Sequence, residues 1–161
     1  MTRKVVSVWF LVLISGFLFL GGAASSLSSS SREITGGIGF TRNNDQGITV
    51  RCWAEFEVKT VSDTSTKGWL KYHDADGLRF RMDVTCVNIV SDHDAIFSGP
   101  IVSTSDTSYV GKWLLIKVHD GGSPGSKGDT IGGEFLRYDP GCNNPPAGGP
   151  ANVESGNLVV H

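Results

Sequence analysis

The sequence predicts an all-β domain, an antiparallel β-sandwich or small barrel of about eight strands. Three observations predict it. Residues 48–58 and 78–86 carry apolar side chains at even positions and mainly polar ones at odd positions, the period of a strand with one buried face. After the first 24 residues no stretch sustains apolar spacing at i, i+3, i+4 and i+7, so helix is a minor component. Clusters of Gly, Asp, Asn and Ser break the chain roughly every 8–15 residues, the rhythm of a sandwich or barrel.

The chain opens with a short basic start, Arg3 and Lys4, an apolar run over 5–20, and small residues at Gly21, Gly22, Ala23 and Ala24. That is the layout of a secretory signal peptide over 1–24, cleaved after Ala24 or Ser26. An uncleaved membrane anchor is the alternative, because 5–24 is nearly long enough to span a bilayer. No Cys follows the apolar run, which argues against a lipid-modified N-terminus. Once the leader is cleaved, no membrane association is expected. Residues 25–35 read as a serine-rich spacer, and 36–161 as a single domain. Loss of Arg3 and Lys4 takes the formal net charge from −2 to −4. A mildly acidic chain of this kind has no electrostatic reason to seek nucleic acid.

Candidate strands lie at 38–42, 48–60, 68–73, 78–90, 95–102, 112–119, 130–138 and 157–161. The chain is organised around 111–138. There Leu114, Ile116 and Val118 alternate with Trp113, Leu115 and Lys117, so both faces of the first strand are partly apolar, as in a central strand. The turn Asp74-Ala75-Asp76-Gly77 suits a short bulged hairpin, with Gly77 free to take a positive φ. The Pro- and Gly-rich stretch at 140–150 must cross the surface as a loop.

Cys52, Cys86 and Cys142 are an odd set, so at least one thiol stays unpaired within the chain. Cys52 shares its face with Val50, Ala54 and Phe56, and Cys86 with Phe80, Met82 and Val84. Both are expected to point at the core. A Cys52–Cys86 bridge needs Cα atoms within about 7 Å. Two separate buried thiols are the alternative.

Several constellations could carry chemistry. Residues 121–125 match G-x-S-x-G, but a nucleophile elbow needs a strand-to-helix turn and the backbone N–H that Pro124 lacks. That rules out a hydrolase elbow. Asp pairs occur in three loops: Asp74 with Asp76, Asp92 with Asp94, and Asp120 with Asp129. Asp favours turns for local hydrogen bonding, and loop carboxylates can also hold Ca2+ with backbone carbonyls. Asp120 and Asp129 are the first candidate pair for a metal, because the Gly-rich loop between them can fold its carbonyls inward. His73, His93 and His119 each neighbour an Asp, yet their spacing does not bring them together as zinc ligands. Trp53, Trp69 and Trp113 have charged neighbours and could form a stacking platform for sugar rings or another protein, or else pack in a second buried layer.

Four stretches, in order, set the layout: Gly39-Phe40, the turn HDADGLRF at 73–80, the strand AIFSG at 95–99, and KVHDGGSPGSKGDTIG at 117–132. With the closing SGNLVVH at 155–161, they resemble the post-COAP family of small secreted bacterial and archaeal domains. The resemblance spans about 36–161 and departs from the family at Ser126-Lys127 and in the 140–150 loop. It implies a secreted β-rich domain of the kind joined to adhesive or cell-surface modules, and it carries no activity with it. The expected role is non-catalytic binding of an extracellular polymer or surface protein, with Trp53, Trp69 and Trp113 as contacts and no catalytic residue. The alternatives are a metal-assisted extracellular hydrolase using His119 or Asp120, and a purely structural surface spacer.

Overall fold

Nine strands follow one another along the chain: β1 (Glu33–Asn43), β2 (Thr49–Ser62), β3 (Ser65–Asp74), β4 (Arg79–Asp83), β5 (Cys86–Ile89), β6 (Asp94–Thr104), β7 (Trp113–His119), β8 (Thr130–Leu136) and β9 (Ala151–Val160). The computed structural model describes residues 31–44, 46–62, 65–122 and 125–161. The predicted leader, the spacer up to residue 30, and Ser123 and Pro124 of the G-x-S-x-G match lie outside the described residues. Among the described residues the one helical element is a 3-10 turn, Thr107–Tyr109, capped by the Asp106 carboxylate on Ser108 N at 2.9 Å.

Every strand pairs antiparallel with its neighbours, in the order β4-β3-β2-β1-β9-β8-β7-β6, and a β4–β6 pairing closes the ring. The fold is therefore a closed eight-stranded up-and-down barrel, and β5 is an extra strand on the free part of β6. Closure gives each of the eight barrel strands a partner on both sides, although β8 and β9 share only two rungs. It also brings Glu33 and His161 together, with His161 N donating to Glu33 O at 2.8 Å.

Alternation sets the interior. Val50, Cys52, Ala54, Phe56 and Val58 of β2 are buried, while Arg51, Glu55 and Lys59 are exposed. β7 is the predicted central strand: Leu114, Ile116 and Val118 face the barrel core, and Leu115 is buried on the outside with Ile96 and Cys142. The expected spacer ends earlier than residue 35, because β1 starts at Glu33 and Ile34 is fully buried. The closing strand begins at Ala151, not at 157. A register shift opposite Gly39 and Phe40 places Val153 inward and leaves Glu154 as the extra residue, which hides the alternation with Leu158 and Val160. Gly156 sits there at φ +94°, and a Cβ would collide with the Gly37 carbonyl, so only glycine fits.

The stretch read as one strand at 78–90 is two. Val84 N still donates to Gly68 O of β3, but Thr85 N donates to Ser98 O of β6. This change of partner reverses the inward parity. Val87 and Ile89 then pack on the core, and Cys86 turns outward to Ile96 and Leu115. Neither reading of this pair, a Cys52–Cys86 bridge or two separate buried thiols, holds. Cys86 is bonded to Cys142 with Cα atoms 5.9 Å apart, and Cys52 is a buried free thiol. The disulfide pins the 140–150 loop over the outside of β6 and β7.

Candidate functional site

The outer face of β2, β3 and β4 gathers the most distinctive surface chemistry. Odd-numbered residues of these strands stand on it in three rows set by register: Trp53, His73 and Arg79; Glu55, Lys71 and Arg81; Glu57, Trp69 and Asp83. Trp53 stacks on His73 with ring centroids 4.9 Å apart and planes 11° from parallel. Arg51 lies over the Trp53 ring at 5.8 Å, and Lys71 Nζ over Trp69 at 5.0 Å. Such contacts hold flexible cations against flat rings. Trp53 stands four residues along the sheet from Trp69, about 14 Å at strand rise.

Two clefts flank the Trp53–His73 stack. On one side Lys71, Arg79, Arg81, Ser103 and Ser105 line an open cleft of about 680 Å³. On the other, Gly37 and Gly39 lack side chains, and a depression of about 510 Å³ runs between Trp53, Glu55 and Ser155. Arg81 pairs with Asp83 at 3.2 Å. Among the described residues Arg51, Lys71 and Arg79 have no carboxylate partner and are exposed. A chain of net negative charge therefore carries a basic, aromatic face.

Trp113 does not join that face. It lies on β7, four strands from β2 in either direction round the barrel, half-buried between Pro100 and Leu136. Sequence periodicity set Trp53 on the polar face of its strand, left open whether the three tryptophans form a platform or a second buried layer, and could not say which strands are opposite.

Asp120 and Asp129 come together at the end of β7 and the start of β8, both buried. All four of their carboxylate oxygens accept backbone N–H groups: Asp120 from Gly122 at 2.8 Å and Val160 at 3.2 Å, and Asp129 from Gly121 at 2.9 Å and Leu158 at 3.2 Å. The reason lies in the ladder. β8 and β9 share only the pairs Thr130–Asn152 and Ile131–Ala151. Beyond them Val153 N still donates to the Asp129 carbonyl at 3.0 Å, and further along β9 the two carboxylates take up the N–H groups of Leu158 and Val160. His119, next in sequence to Asp120, faces outward instead. Its Nδ1 lies 3.2 Å from Asp94 Oδ1, with Lys117 Nζ 3.6 Å from the same oxygen and the His93 ring 6.3 Å away. Hydrogen bonds from His119 and Ser91 hold the Asp94 carboxyl below the usual range, outweighing the opposing effect of burial. No group of three His, Cys, Asp or Glu side chains is placed to hold a metal ion among the described residues.

One cluster escaped the sequence reading. At the opposite end of the barrel Arg42 donates from Nη2 to Asp74 at 2.8 Å and from Nε to the Tyr72 hydroxyl at 3.0 Å. That hydroxyl lies 3.0 Å from Asp74 Oδ2 and 3.1 Å from Cys52 Sγ, and Asp74 Oδ1 accepts the Leu78 N–H at 3.0 Å. Burial pushes the Tyr72 phenol well above its usual range, and burial likewise raises the Cys52 thiol. Burial opposes the charge of Asp74, but hydrogen bonds from Arg42, Tyr72 and Leu78 outweigh it and hold the carboxyl below the usual range. The available signal was parity: Arg42 and Asp74 occupy the inward positions of strands whose other inward residues are mostly apolar.

No family model matches this chain, and no curated protein or solved structure does so either.

Proposed function

We propose that this domain is a non-catalytic extracellular binding module whose β2–β3–β4 outer face grips an acidic polysaccharide. The observation that carries the reading is the basic, aromatic face on an acidic chain: Trp53 and Trp69 on one surface, interleaved with the unpaired cations Arg51, Lys71 and Arg79. Flat indole rings suit the C–H faces of sugar rings, and a desolvated tryptophan is a common centre of binding energy. Guanidinium and ammonium groups attract carboxylate or sulfate substituents. Glu55, Glu57 and Asp83 in the same rows can accept hydrogen bonds from sugar hydroxyls between the ligand's charged groups. Trp113, on the far side of the barrel, has no part in this surface.

Retention in gels containing polygalacturonate, alginate or a sulfated glycan, against neutral glucans, tests the reading. Acidic polymers should retard the protein, and rising salt should weaken the effect. Trp53→Ala and Trp69→Ala should each cost roughly tenfold in affinity at unchanged melting temperature. Equal retention by neutral glucans, retention unmoved by both substitutions, or stronger retention by single-stranded DNA would overturn it.

A further inference from the structure

We propose that the barrel has a second binding site at its open end, for a small neutral molecule of one or two rings bearing a carbonyl head. The interior is not uniformly packed. At the end near Asp120 and Asp129 it is filled by Ile34, Phe97 and Val118, all fully buried. Toward the end that holds Arg42 it opens into a cavity of about 330 Å³, reached between the β1–β2, β3–β4, β6–β7 and β8–β9 connections. Eight strands enclose just enough space for packed side chains or one small ligand. This volume lies at the lower bound for ligand pockets.

The sequence creates that space with small residues on inward positions. Gly133 falls between Ile131 and Phe135 on the inner face of β8, opposite Ile116. Its φ is not positive, so no turn geometry demands glycine. A Cβ there would come 2.9 Å from Ile116 Cδ1 and 3.6 Å from Leu114 Cδ1, so a larger side chain would have to displace the tip of Ile116, and both would then crowd the cavity they line. Ala54 and Ala151 keep two other walls thin.

The rim is aromatic and incompletely covered. Phe80 stacks on Tyr72 at 4.7 Å and meets Phe135 edge-on at 5.6 Å, while Tyr109 meets Phe135 at 4.7 Å. Phe135 faces this rim and remains 38% exposed, so a ring seated against it would remove apolar surface from water. Arg42 supplies the polar end. Its Nε and Nη2 are bonded to Tyr72 and Asp74, which leaves its second terminal nitrogen as a donor beside the cavity. Asp74 already balances the guanidinium charge, so the site suits a hydrogen-bond acceptor without a full negative charge.

The probe is 6-propionyl-2-dimethylaminonaphthalene, a two-ring ketone whose emission moves to shorter wavelength in apolar surroundings, titrated against the folded domain. Saturable one-to-one binding with blue-shifted emission is expected. Gly133→Leu should weaken it at least tenfold in protein that still melts cooperatively, even if the midpoint falls. Should Gly133→Leu fail to fold, Ala151→Leu fills the same cavity from β9 and decides the matter. Wild-type affinity in either folded variant, or no saturable emission change with the native protein, would overturn the proposal.

Discussion

Asp129 Oδ2 accepts the backbone N–H of Leu158 at 3.2 Å, tying the β7–β8 loop to a strand 29 residues further on. Asp120 does the same for Val160 across 40 residues. These carboxylates stand in for carbonyls that a longer β8–β9 ladder would have supplied. Removing one strands a buried N–H of β9, at about 1–3 kcal/mol, and a less buried N–H of the loop. Asp129→Ala should therefore destabilise the domain by about 2 kcal/mol, and amide exchange should accelerate first at Leu158 and Gly121. Uniform exchange along all strands in that variant would contradict the clamp.

The same geometry bears on calcium. Each oxygen of the pair already accepts an N–H, so a cation there would compete with the bonds that hold β9. The thermal midpoint in EDTA should match that in millimolar calcium. A dose-dependent rise, abolished by Asp129→Ala, would restore the metal reading.

Asp74 should shape the acid limb of stability. Its carboxyl titrates lower in the folded protein than in the unfolded chain. A depressed carboxyl contributes fully above about pH 4 and loses that contribution as pH falls through the folded value. The stability gap between wild type and Asp74→Asn should shrink as pH is lowered from 5 toward 2, roughly across that window. A gap independent of pH would place the effect elsewhere.

Thiol chemistry gives a direct check on the cysteines. Burial raises the Cys52 thiol and shields it, so native protein should show no reactive thiol and unreduced denatured protein should show one. The Cys86–Cys142 bridge closes a 56-residue separation. Chain-entropy arguments give its loss an effect of about 4 kcal/mol. Cys86→Ser with Cys142→Ser should lower the midpoint accordingly, and a second free thiol in the unreduced wild type would refute the pairing.

How much of this was legible beforehand depended on range. Alternation in β2 and β7 is local, and it identified both strands, the buried face of β2 and the partly apolar character of both faces of β7. The parity reversal at Val84 and Thr85 is made by a change of partner strand, which no local pattern records, so Cys86 was assigned to the wrong side. Asp120 and Asp129 stood out as a pair because a Gly-rich loop separates them. Their role stayed hidden because it depends on where β9 runs. Arg42, Tyr72, Asp74 and Cys52 come from three strands and meet only through barrel register. The tryptophans stood out one by one as candidate contacts or as a second buried layer, but the ring of strands decides that Trp53 and Trp69 share a face and Trp113 is opposite.

The joining of Glu33 to His161 has a mechanical consequence. β1 and β9 run antiparallel with these residues at the same end, so a load applied at 33 and 161 would act across the rungs and not along them. The seam would peel like a zipper, one pair of hydrogen bonds at a time, which needs far less force than shearing them together. In a single-molecule stretching trace the domain should therefore yield early, as an extensible link that gives way before a stiffer neighbour breaks. A high, abrupt rupture force would show that the load reaches the barrel by another path.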